Sequence, residues 1–106
     1  MHFALTYDLS AQGVVRNKIE SRIEEIWNPY VHVKRLTTFY IIHVDDNNAW
    51  EQIRQALTKL SQGIHETFHF IMTPPIKDGR YNGVLCGNEW DEINQITNMD
   101  YCGRRI

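Results

Sequence analysis

The sequence predicts an α+β domain whose strands and helices follow one another in the order β-α-β-β-α-β. Strand segments alternate apolar and polar residues with a period of two, whereas two longer segments repeat apolar residues at helical spacing. Asparagine, glycine and proline residues stand between these segments, where turns are expected. The chain has 106 residues, the size of one domain with a single core, so we predict one domain over residues 1–106.

The first predicted strand lies between His2 and Leu9, where large apolar residues alternate with small or polar ones. From Val14 the spacing becomes helical, which predicts a first helix that ends at Asn28-Pro29 because proline disfavours a helical residue before it. The expected buried stripe of this helix comprises Val15, Ile19, Ile23, Ile26 and Trp27. Its polar residues Arg16, Glu20, Glu24 and Glu25 are expected to face solvent.

Two β-rich runs, "VHVKRL" and "FYIIHV", flank Thr37-Thr38 and predict either two strands or one long bent strand. A second helix begins in "DDNNAWEQ", with Asn48 as the expected N-cap and Glu51 three residues later, as in a capping box. Gly63 marks its expected end. The predicted buried stripe of the second helix comprises Trp50, Ile53, Leu57 and Leu60.

The segment after Gly63 has two interpretations. "HETFH", residues 65–69, satisfies the H-E-x-x-H pattern of a zinc peptidase, which requires a helix so that both imidazoles reach one metal ion. Alternating apolar residues closed by Pro74-Pro75 instead predict a fourth strand, on which the two histidines would lie roughly 13 Å apart. The sequence favours the strand. The alternative is that the second helix continues through the segment and tolerates Gly63 in its interior.

The last part of the chain predicts a small addition to this pattern. "KDGRYNGVLC" contains an Asp-Gly turn signal and a short fifth strand, and the residues from Asn88 to Met99 are spaced for a final helix. The main order is the split βαβ pattern of the ferredoxin-like fold, with this short strand and helix added. We expect both main helices on one face of a largely antiparallel sheet. The open face and edges of such a sheet predict a homodimer.

Composition excludes several classes of protein. No apolar run approaches the roughly 18 residues that span a bilayer, and the first residues lack the regions of a signal peptide, so we expect a cytoplasmic protein without a membrane partner. Cys86 and Cys102 are too few for a disulfide framework and lack the spacing of a redox or zinc pair. A net charge of −2 argues against non-specific wrapping of nucleic acid but allows a local basic patch.

The stretch "FALTYDLS", followed by a helix that carries Arg16, Lys18 and Arg22, resembles the first strand and turn of the small ferredoxin-fold subunit of the CRISPR spacer-acquisition complex and of its stand-alone relatives. The resemblance depends on Tyr7-Asp8-Leu9-Ser10 and on the element order, and it covers roughly residues 2 to 73 at the level of pattern. It implies that Asp8 of two protomers holds Mg²⁺ at a two-fold axis for phosphodiester hydrolysis. Many members of that family act as DNA-binding scaffolds instead.

The candidate contacts to DNA or RNA are basic residues of the first helix and of the second predicted strand. They are Arg16, Lys18, Lys34 and Arg35. Lys34 and Arg35 are interleaved with aromatic residues, as in a phosphate-contacting edge. The same two charges would equally protect an exposed strand against edge pairing.

The sequence therefore leads to two main functional hypotheses and leaves open whether the protein is an enzyme. The first is a nucleic-acid-binding dimer or metal-dependent endonuclease, with Asp8 as the catalytic and Mg²⁺-binding residue. The second is a non-enzymatic module that binds a protein partner through its sheet edge or open face. A zinc peptidase built on "HETFH" is the third and least favoured.

Overall fold

A computed structural model describes residues 1–77, 85 and 87–98 of the chain. Its elements are β1 (His2–Leu9), α1 (Gly13–Trp27), β2 (His32–Arg35), β3 (Phe39–His43), α2 (Asn47–Gly63), β4 (Phe68–Met72) and α3 (Gly87–Asn98). The predicted α+β class is confirmed, and so is the final helix. The segment of the predicted fifth strand lies outside the described residues except for Lys77 and Leu85, and both cysteines also lie outside them.

The four strands form one antiparallel sheet in the order β2-β3-β1-β4. β1 lies in the interior of the sheet, where it pairs with β3 on one side and with β4 on the other. The two β-rich runs are separate strands, because the chain turns between them at Leu36, whose φ is 57°. This arrangement is compatible with a ferredoxin-like fold.

The main core lies between one face of the sheet and the two long helices. Alternation along β1 directs Phe3, Leu5, Tyr7 and Leu9 to this face, where all four are buried. The helical residues of the core are Ile19, Ile23 and Trp27 of α1 and Ile53, Leu57 and Leu60 of α2. The predicted placement of both helices on one face is therefore confirmed. Val15 was expected in the buried stripe but is 49% exposed, so the stripe of α1 begins one turn later, at Ile19.

A smaller apolar cluster covers part of the opposite face. It consists of Val33, Ile41, Ile93 and Ile96, and it lies where α3 packs on β2 and β3. Beside this cluster on the same face, His2 and Ala4 of β1 are buried, whereas four residues of β1 and β4 are exposed. We call these four residues the open strip: Thr6, Asp8, His69 and Ile71.

The N-terminus of α2 differs from the predicted capping box. The helix begins directly after Asp46, whose carboxylate accepts a hydrogen bond of 2.8 Å from the backbone N–H three residues later. Asp46 is extended, as an N-cap must be, whereas Asn48 is already helical. The prediction of Asn48 as the cap was therefore wrong. Glu51 instead accepts a hydrogen bond of 3.0 Å from Nε of Arg54.

The "HETFH" segment is not helical. α2 ends at Gly63 as predicted, and the next residue, Ile64, is extended. His65 lies in the bend that follows, whereas His69 lies within β4. The predicted fourth strand is confirmed, the continued helix was wrong, and the segment lacks the helix that a zinc-peptidase motif requires. Among the described helices, none has both the length and the apolar character needed to cross a membrane.

Leu57 provides a test of the main core, because its side chain is fully buried. We expect Leu57→Ala to lower the free energy of unfolding by about 2–5 kcal/mol, since the change removes apolar contacts and leaves a cavity. Urea unfolding followed by circular dichroism measures the loss. The control Gln52→Ala, on the exposed side of the same helix, should change stability by less than about 0.5 kcal/mol. Equal midpoints for the two variants would contradict this placement of α2.

Candidate functional site

Asp8 lies one residue before the end of β1, on the open strip. It is exposed because Tyr7 and Leu9, its neighbours in the strand, point into the main core and Asp8 must point the other way. Within the described part of the chain, no hydrogen bond or ion pair involves its carboxylate. The carboxylate is therefore accessible to a cation from solvent.

His69 lies directly opposite Asp8 in the antiparallel pairing of β1 with β4. Both residues are exposed and share the open strip. Directly opposite residues of an antiparallel pair have Cβ atoms about 4.5–5.5 Å apart, so an aspartate and a histidine in this relation can contact the same ion. Ile71 lies opposite Thr6 in the next pair on the same face, and its side chain is 72% exposed.

Two hydrogen bonds fix the register of β1 and β4 beside this pair. The backbone N–H of Ser10 donates to the carbonyl of Thr67 at 2.9 Å, and the N–H of Thr67 donates to Oγ of Ser10 at 2.8 Å. On the core side, the rings of Tyr7 and Phe68 pack edge to face with their centroids 5.7 Å apart. Asp8 and His69 therefore lie in a part of the sheet that is held by hydrogen bonds at the end of the strand pair and by ring packing on the core face.

The sequence alone does not connect His69 with Asp8. The predicted element order implies that the first and fourth strands are neighbours, and the alternation of each strand sends both residues away from the core. The register between the two strands was the missing information. It depends on tertiary contacts such as those of Ser10, for which the sequence carries no local signal.

Arg16, a predicted nucleic-acid contact, stabilises the turn between β1 and α1. Its Nη1 donates to the carbonyl of Leu9 at 2.9 Å and to that of Ala11 at 3.3 Å. Its Nε lies 3.4 Å from Oε1 of Glu20. Much of the hydrogen-bonding capacity of this guanidinium is therefore used within the chain. Its contact with nucleic acid stays a prediction.

Lys34 and Arg35 do not form one basic patch, because consecutive strand residues point to opposite faces. Arg35 forms an ion pair with Glu92 of α3, donates to the carbonyl of Lys34 at 2.6 Å, and has a side chain only 15% exposed. It thereby links β2 to α3. Lys34 is exposed on the other face, with Nζ 5.7 Å from the centroid of the Tyr40 ring.

Three exposed cations lie on or beside the groove between α1 and α2. Arg22, Glu25 and Lys59 are among the residues that line this groove, which has a volume of about 450 Å³. Lys18 precedes Arg22 by one helical turn and is exposed. Among the described residues, none of the three cations has an ion-pair partner. Lys59 was not among the sequence-predicted sites.

Two tyrosines of the main core bind glutamates that were expected to face solvent. The hydroxyl of Tyr7 donates to Oε2 of Glu20 at 2.6 Å, and that of Tyr40 donates to Oε1 of Glu24 at 3.1 Å. Burial raises the pKa of both tyrosines well above the ordinary value, and the neighbouring carboxylates raise it further. Glu20 and Glu24 thus attach α1 to the sheet.

Comparison of the chain with family models, with curated proteins and with solved structures gives no match. The resemblance to the CRISPR spacer-acquisition subunit is not tested by these comparisons and stays a prediction.

The raised pKa of Tyr7 predicts a loss of stability in alkaline solution. Above about pH 10 a tyrosine in the unfolded chain loses its proton, whereas folded Tyr7 keeps it. The folded state then binds more protons than the unfolded state, so the free energy of unfolding falls as the pH rises. Urea unfolding at a series of alkaline pH values should show a shallower fall for Tyr7→Phe than for the wild type. Parallel pH profiles for the two proteins would contradict the raised pKa.

Proposed function

We propose that this protein is a small homodimer of ferredoxin-like fold that binds DNA or RNA and hydrolyses it with a divalent cation held by Asp8. The main support is the exposed Asp8 carboxylate, which has no partner among the described residues and lies near the end of an interior strand. The strand order and the placement of α1 and α2 on one face support the fold.

The ligand atoms that Asp8 offers suit a divalent cation. Asp8 offers carboxylate oxygens, and its position in the sheet is fixed by its pairing with His69 of β4. A cation bound there would supply an activated water molecule and stabilise the negative charge that develops on the phosphate. The role of the protein is to hold the ion and to orient the nucleic acid beside it.

A homodimer would supply metal ligands that the described residues of one copy do not. Within these residues, no group of three or more potential metal ligands occurs. A two-fold dimer presents every residue twice, and two copies that meet through their open strips bring two Asp8 carboxylates together. The exposed Ile71 beside Asp8 offers apolar surface for such a contact.

The exposed cations support contact with phosphate groups. Lys18, Arg22 and Lys59 lie on the face of the molecule formed by α1 and α2 and have no ion-pair partner in its described part. This face is on the other side of the sheet from Asp8, so the three cations would contact phosphates remote from the one that is cleaved. Lysine and arginine side chains of this kind bind phosphates and release counterions, which makes the affinity dependent on salt. Arg16 and Arg35 are less available for this purpose, because each already binds groups of the same chain.

A second candidate function is a non-enzymatic module that binds a protein partner. β4 is paired on one side only within the described residues, and Ile71 on this strand is exposed. A peptide in extended conformation could add to such an edge through backbone hydrogen bonds and cover the apolar side chain. This function requires neither a divalent cation nor nucleic acid.

Asp8→Asn tests the catalytic proposal, because asparagine preserves the shape of the side chain but removes its charge. We expect the variant to retain its circular dichroism spectrum and unfolding midpoint and to lose cation-dependent cleavage of labelled DNA or RNA. Asp45→Asn, which changes an exposed acid in the loop before α2, is the matched control and should cleave like the wild type. Undiminished cleavage by Asp8→Asn would assign the activity to another site.

Binding of an oligonucleotide at two salt concentrations separates the two candidate functions. Three phosphate contacts predict that affinity for a single strand falls roughly twentyfold between about 50 and 200 mM salt. Lys18→Gln should weaken binding and reduce the slope of the salt dependence by about one contact, whereas Lys77→Gln, elsewhere on the surface, should not. Absence of salt-sensitive binding would favour the protein-binding module.

A further inference from the structure

We infer that Asp8 and His69 form one metal-binding pair, and that two copies of the chain together complete a site of two carboxylates and two imidazoles for a transition-metal ion such as Zn²⁺. The inference rests on the homodimer of the proposed function and not on its hydrolysis, because four protein ligands fill a tetrahedral shell and leave no position for a water molecule. It adds His69 as a ligand and changes the expected metal.

The pairing of β1 with β4 supports the association of the two side chains. Asp8 and His69 are directly opposite each other, both are exposed, and both lie on the open strip. A slip of one residue would separate them and would also expose Phe68, which is buried in the main core. Burial of Phe68 in the main core therefore stabilises the register in which the Asp8 carboxylate lies opposite the His69 imidazole.

The type of ligand determines which ion the site accepts. Mg²⁺ prefers six oxygen ligands in octahedral geometry and is seldom held by an imidazole. A site with two nitrogen and two oxygen ligands suits Zn²⁺, which takes histidine and aspartate in tetrahedral geometry. The Asp8–His69 pair therefore favours Zn²⁺ over the Mg²⁺ that the resemblance to the CRISPR subunit implies.

A second copy of the same chain completes the site most simply. The two ligands of one chain leave half of a tetrahedral shell unfilled, and no third potential ligand joins them within the described residues. An isologous two-fold contact repeats the pair without any further residue type. Thr6 and Ile71 lie next to the pair on the same face and would enter the contact.

His65 is the matched control for this inference. It belongs to the same "HETFH" stretch and is exposed like His69, but it lies in the bend before β4 and not on the open strip. A general affinity of surface histidines for zinc would involve both residues. The inferred site involves His69 alone.

The experiment is a calorimetric titration of Zn²⁺ into the full chain after removal of metal with a chelator, together with sedimentation velocity. We expect one Zn²⁺ per two chains and a zinc-dependent dimer. Asp8→Asn and His69→Gln should each weaken binding by at least about tenfold, since each removes two of the four ligands, and His65→Gln should bind like the wild type.

Mg²⁺ titrated in the same way should produce much weaker binding. Co²⁺ as a replacement probe should show no thiolate absorption band, which separates this site from zinc held by cysteine.

Three results would overturn the inference: His69→Gln that binds Zn²⁺ like the wild type, a loss of affinity in His65→Gln equal to that in His69→Gln, or one Zn²⁺ per single chain. These results are distinct from failure of the proposed function. Zinc binding that requires His69 in a protein without cleavage activity would support the inference alone. Cleavage that requires Asp8 but is unchanged in His69→Gln, with zinc binding also unchanged, would support the function alone.

Discussion

The two-residue period of β1 is the constraint on which the rest of the structure depends. β1 lies between β3 and β4, so hydrogen bonds to both neighbours fix its register. A slip of one residue would move every side chain of β1 to the other face of the sheet. Its large apolar residues lie beneath α1 and α2, and this burial forces Asp8 to the opposite face. The hydrophobic core therefore determines the face on which Asp8 lies, and the hydrogen bonds between Ser10 and Thr67 fix its register with His69.

The charged residues fall into two groups with different roles. Arg16 and Arg35 bind carbonyls and carboxylates of the chain itself, the first at the β1–α1 turn and the second between β2 and α3. Lys18, Arg22 and Lys59 lie exposed on the helical face without such partners in the described part of the chain. A chain with a net charge of −2 offers limited basic surface, so contact with nucleic acid would be confined to a small area.

The sequence predicted the elements well because their signals are local. Periodicity identified the strands and helices, and Gly63 and Asn28-Pro29 marked helix ends correctly. Predictions that depended on position within one or two residues were less successful. Asp46 and not Asn48 caps α2, and Val15, expected in the buried stripe of α1, is 49% exposed.

The candidate site was only half predictable for the same reason. Asp8 stood out as a polar residue near the end of an apolar strand, but its relation to His69 depends on the register between strands that lie far apart in sequence. The ion pair of Arg35 with Glu92 likewise joins residues 57 positions apart. A crystal structure of the protein grown with Zn²⁺, with anomalous scattering recorded at the zinc edge, tests the account most directly. We predict a zinc peak bound by Asp8 and His69 with β4 extended. A peak bound by His65 and His69 on a helical backbone would contradict it.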